Sequence, residues 1–136
     1  MLAGTVLAAT DDEAEARKAA LALAGAFSND GFKIRDGNWT GTIHPKENLL
    51  IQVHLYAGNQ YWFSVGASRK AKKLSVTVFD ETGALVQSDP YQDEGKTDEG
   101  PKAAAGFSPD VSGPYFVRIQ ETEGETASFS LLYSYK

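Results

Sequence analysis

The sequence predicts a mainly β protein, an antiparallel jelly-roll-like β-sandwich of about eight or nine strands with one N-terminal α-helix. Three observations predict it. From Phe32 onward, short runs alternate apolar and polar residues and are separated by turn residues every 8–12 positions or so, the texture of a sandwich or barrel. Residues 105–119 show this most clearly. There Pro109, Asp110, Ser112 and Gly113 mark a tight turn, after which Tyr115, Val117 and Ile119 alternate with Phe116, Arg118 and Gln120. Ahead of the β region, an Ala- and Leu-rich run repeats its apolar positions at helical spacing.

The 136 residues suffice for one hydrophobic core. We divide them into an apolar lead and helix over 1–31 and a sandwich over 32–136. Residues 1–9 are small and apolar and resemble the tail of a secretory signal, with Ala8 ahead of acidic sequence; a basic leading segment is missing. The alternative is an ordinary apolar lead-in that packs on the domain. Thr10, Asp11, Asp12 and Glu13 spell a capping box, which predicts a helix start there and a helix to about residue 27. Ala16, Ala20, Leu23, Ala24 and Phe27 form its apolar face. Such small side chains suit a flat partner, either a sheet or a second copy, so a homo-oligomer through residues 11–27 is one expectation.

Short strands are expected at 32–34 and 39–43, joined through Asp36 and Gly37. In 49–56, Leu49, Ile51, Val53 and Leu55 form the inward set and His54 points outward. Residues 57–60 read as a hairpin turn into a strand at 61–65. The basic run Arg69, Lys70, Lys72 and Lys73 reads as a loop before a strand at 74–79. It is either a solvated gatekeeper for that strand or a contact for an anionic polymer or lipid headgroups. Asp80 to Gly83 is a turn, 84–87 a short strand, and the acidic stretch 87–100 a loop. Further strands are expected at 103–107, 115–120 and 127–135, the last with Leu132 breaking an otherwise serine-rich face.

Several stretches together resemble the bacterial pre-peptidase C-terminal domain. They are Tyr61-Trp-Phe-Ser-Val65, Leu74-Ser-Val-Thr-Val-Phe-Asp80, Gly83, Asp89, Phe107-Ser-Pro109, Ser112-Gly113, Tyr115-Phe-Val-Arg118 and Phe129-Ser-Leu131. The resemblance implies a small β-sandwich in an exported bacterial protein, periplasmic or extracellular. Relatives of that family bind polymers such as collagen or sugars, some with calcium. This chain differs in having an N-terminal helix, a longer acidic loop and no accompanying protease domain.

Composition excludes several chemistries. The chain has no cysteine, which removes disulfides, thiolate zinc sites and thiol nucleophiles. A net charge of −5 argues against a nucleic-acid partner. No apolar run reaches the roughly 18–20 residues of a transmembrane helix. A transition-metal site would need His44 and His54 to converge with a carboxylate such as Glu47. No nucleophile elbow or phosphate loop occurs. The expected function is therefore a non-enzymatic exported module that binds a polysaccharide or protein partner or serves as a structural accessory. The alternatives are a small hydrolase-like sandwich with dispersed carboxylates and a self-assembling component. The candidate ligand-binding residues are Trp39, Trp62 and Tyr91, supported by Tyr56 and Tyr115 as an aromatic platform. For Trp62 the favoured reading is that it packs beneath the N-terminal helix, whose Ala-rich face needs a flat partner, with the platform role as the alternative. No cofactor is expected beyond calcium, for which Asp89, Asp93, Glu94, Asp98 and Glu99 are the candidate ligands.

Overall fold

The computed structural model describes residues 2–35, 38–93 and 100–136, with helix side chains from Asp11 onward. The helix α1 runs Leu2–Ser28. Among the described residues there are nine strands: β1 Lys33–Ile34, β2 Trp39–Ile43, β3 Asn48–Leu55, β4 Tyr61–Ala67, β5 Ala71–Asp80, β6 Asp89–Asp93, β7 Lys102–Phe107, β8 Gly113–Gly124 and β9 Ala127–Tyr135. They form two antiparallel sheets. One is six-stranded in the order β1-β9-β4-β7-β6, with β2 also on β9; the other is three-stranded in the order β3-β8-β5.

Period-two alternation sets the core. Tyr61, Phe63 and Val65 on β4, Val76 and Val78 on β5, Val117 and Ile119 on β8, and Phe129, Leu131 and Tyr133 on β9 fill the space between the sheets. The 49–55 set faces inward as expected, with Val53 buried and Leu55 fully so. Tyr115 closes the 109–113 turn by donating its hydroxyl to the Val111 carbonyl at 2.6 Å. The expected strand count and sandwich class hold.

Four local expectations are corrected. The helix starts at Leu2, so the Thr10–Glu13 pattern lies inside it and does not mark its start; the Ala-rich lead carries the helix past that signal. Residues 84–87 form no strand, only a bridge between Leu85 and Phe79. Part of the acidic stretch is an edge strand, β6, with Pro90 at a position an edge tolerates. Lys72 and Lys73 belong to β5, beside register shifts at its start.

The helix lies across the outer face of the six-stranded sheet, on β4 and β9. Among its described side chains, Ala16, Ala19, Ala20, Leu23 and Ala24 are buried. Gly66 on β4 permits the close approach. A Cβ there would stand 2.6 Å from the Ala19 Cβ and 2.7 Å from the Ala16 carbonyl oxygen. Leu132, the odd residue on β9, packs on Ala20 and Ala24. The Ala-rich face is thus occupied within the chain. The expected basic loop is its clamp: Arg69 pairs with Glu15 at 3.1 Å and Lys70 with Asp12 at 3.0 Å. Among the described residues, no helix is long and apolar enough to cross a membrane.

Candidate functional site

The helix-side face of the six-stranded sheet collects most of the described candidates. On this face β4 presents Trp62, Ser64 and Gly66, because Tyr61, Phe63 and Val65 are turned into the core. Cross-strand pairing then aligns Trp62 with Gly106 on β7, and Gly106 with Asp89 on β6. The next inward row aligns Ser64, Ala104 and Tyr91. Asp89, Tyr91 and Trp62 therefore share one face, with only the small residues of β7 between them.

Trp62 is held flat. Its ring stacks on Phe27 of α1, with centroids 4.2 Å apart and planes 9° from parallel. On the other side it lies over Gly106, where a Cβ would come within 2.8–2.9 Å of three indole atoms. Both ring faces are covered, and the indole offers an edge. That edge lines a bay of about 320 Å³ with Phe32, Gln60, Gln87, Ser88, Asp89, Gly106 and Ser108. Tyr91, 40% exposed, stands two residues along β6 on the same side. Trp39 is elsewhere. It pairs with Leu131 on the core side and packs on Tyr133, with centroids 5.7 Å apart.

Asp89 and Asp93 sit at the two ends of β6, separated by four strand steps or roughly 13 Å. No single calcium ion, with ligands at about 2.3–2.6 Å, is held by both. Asp93 lines a separate depression with Lys73, Leu74, Gln92 and Lys102. Glu94, Asp98 and Glu99 lie outside the described residues. Among the described residues, no three His, Asp or Glu side chains form a metal cluster. His44 instead makes a 3.0 Å hydrogen bond with Thr126, and His54 packs edge-on against Tyr56.

Two features escaped sequence reasoning. Among the described residues nothing covers the outer face of the three-stranded sheet, which presents Leu50, Phe79, Phe116 and Arg118 around a depression of about 450 Å³. Leu50 is 60% exposed, and the Arg118 guanidinium lies 4.9 Å above the Phe79 ring. The alternation of Phe116 with Tyr115 and Val117 carried this signal, because an apolar residue on the polar phase of a strand marks a second apolar surface. The other feature is Glu121, on the core phase of β8 and fully buried. Neither of its carboxylate oxygens has a partner among the described residues. Burial raises its pKa to about 7, the His44 imidazole pulling it down and Glu125 pushing it up.

The fold and these surfaces define a helix-capped, jelly-roll-like β-sandwich. Solved structures show the same fold at low identity. A periplasmic inhibitor of g-type lysozyme from Aeromonas hydrophila, PliG, superposes with a TM-score of 0.51 at 14% identity, covering 79% of this chain and 90% of that one. The Yersinia pseudotuberculosis-derived mitogen gives 0.52 at 16%, covering 71% and 82%. No protein-family profile matches the chain, and no curated sequence matches it. The resemblance to the pre-peptidase C-terminal domain is thus supported only at the level of the sandwich fold.

Proposed function

We propose that this protein is a non-catalytic, exported binding module whose bay beside Trp62 takes a saccharide chain. The observation that carries the reading is the convergence of an indole edge, Tyr91, the Asp89 carboxylate and the Gln60 and Gln87 amides on one side of one sheet. Sugar rings present C–H surface and close-set hydroxyls, which aromatic rings and fixed amide and carboxylate groups recognise together. At about 320 Å³ the bay falls near the lower end of ligand pockets, which run from roughly 300 to 1,000 Å³. Its described lining contains one carboxylate, whereas glycoside hydrolysis generally works through a pair. Export rests on the small apolar residues 2–9, the signal-like part of the sequence.

The test is isothermal titration of the full chain with cellohexaose, xylohexaose and chitohexaose, in chelator and in millimolar calcium. Binding is expected to one of them and to be lost in Tyr91→Ala and Asp89→Asn while the thermal melt stays cooperative. Calcium enters the reading through the acidic 89–99 stretch, and an affinity equal in chelator and calcium removes it. Failure to bind any oligosaccharide, or turnover of one, refutes the module. A second reading, a protein partner on the open sheet face, is favoured by Leu50, Phe79, Phe116 and Arg118. Its mark is a pulled-down partner whose binding Leu50→Ser abolishes and Asp89→Asn spares.

A further inference from the structure

We propose that α1 is a lid on the sheet face that carries Trp62, with Phe27 occupying on the indole the place of a ligand ring. The proposal rests on the saccharide reading and gives that site a closed state. Three observations support it. Phe27 covers Trp62 as a bound planar or pyranose ring would, nearly parallel and at 4.2 Å. Ser64, Ser130 and Ser134 lie fully buried on the sheet face that α1 covers, and their hydroxyls have no hydrogen-bond partner among the described residues. Such a face is suited to a hydroxyl-rich ligand, and the Ala-rich helix offers these hydroxyls no polar side chain to pair with.

The third observation is that the helix and the sandwich bury their apolar side chains in separate clusters. The main core lies wholly between the two sheets, and the helix meets a small cluster of its own, Ala20, Ala24 and Leu132. At the far end from Phe27, the ion pairs Glu15–Arg69 and Asp12–Lys70 involve solvent-exposed basic side chains, so salt weakens them. At the near end the chain turns through Asn29, Asp30 and Gly31, the last at φ 94°, a ready hinge. Lifting α1 would free one face of the indole and hydrate the three serines. It would join them to the bay at Asp89 and to Tyr91 beside it as one continuous binding surface.

The test is native-state hydrogen exchange on the full chain, with acrylamide quenching in a Trp39→Phe background so that Trp62 is the only indole. The amides of 16–27 are expected to exchange at least about 100-fold faster than those of β4 and β9, reporting a sub-global opening. Gly66→Ala, which sets a methyl against the helix backbone, and Glu15→Gln should widen that gap. Phe27→Ala should raise quenching of Trp62. Equal protection of α1 and β9 in all these chains overturns the lid.

For whichever hexaose the wild type binds, Phe27→Ala is expected to bind about 10-fold more tightly, and saturating sugar should speed exchange in α1. Unchanged affinity in Phe27→Ala overturns the role of Phe27. Should no hexaose bind either chain, the saccharide reading falls, and the exchange data decide the lid by themselves.

Discussion

Glu121→Gln should make the protein more stable above neutral pH and leave it nearly unchanged in mild acid. The Glu121 carboxyl is fully buried, its oxygens unpartnered among the described residues and its pKa raised from 4.5 to about 7. The folded state therefore holds this proton more tightly than the unfolded state. Its contribution is complete below about pH 4.5 and is lost as pH rises through about 7. At 1.36 kcal/mol per pKa unit, the charged form above pH 7 costs about 3 kcal/mol. For a chain of this length that corresponds to about 10 °C in melting temperature. The Gly124 backbone crowds the group, since a Cβ there would stand 2.5 Å from Oε2, so relaxation toward solvent is restricted. The assay is a set of thermal melts of wild type and Glu121→Gln between about pH 4.5 and 9. Taking the difference cancels the titration of groups that do not interact with Glu121, leaving Glu121 and its neighbours His44 and Glu125. The variant's advantage should grow by several degrees across that interval. A difference independent of pH, or a variant less stable in alkali, refutes the reasoning.

Three further outcomes follow from packing and turn chemistry. Phe63, fully buried between the sheets, should cost about 3–5 kcal/mol on replacement by alanine. Leu50→Ser, on the open face, should stay within about 0.5 kcal/mol, and denaturant titration of the pair checks the assignment of inside and outside. Asp80 accepts hydrogen bonds from the Thr82 amide and hydroxyl and the Ala84 amide at 2.6–3.0 Å, and these hold its pKa below the usual 3.8. Its contribution is present above that value and lost as pH falls through the lower folded one. The melting deficit of Asp80→Ala at neutral pH should therefore vanish in strong acid.

Local patterns were legible where one phase of a strand or one side of a helix carries a uniform chemistry. The inward Leu49, Ile51, Val53 and Leu55 and the Ala-rich helix face were read correctly because burial follows directly from period. β6 was not legible. Asp89, Tyr91 and Asp93 have no apolar phase, and the segment is a strand because β7 has an edge to pair. The site was legible only in its residue types. The sequence marks Trp62 and Tyr91 as candidate binding aromatics and Trp62 as packing beneath the helix, as it does on Phe27, but the face they share comes from the β4-β7-β6 register, which no local signal encodes. Trp39, of the same type, went to the core side of its strand.

By itself the sequence determined the class of fold, the helix face and the chemistries excluded by composition, because these follow from periodicity and residue inventory. Only the tertiary structure decided that Phe27 covers Trp62, that the basic run clamps the helix, that Glu121 is buried, and that one sheet face stays open. These depend on contacts between segments far apart in the chain, and a local pattern carries no information about which of its faces a distant segment will cover.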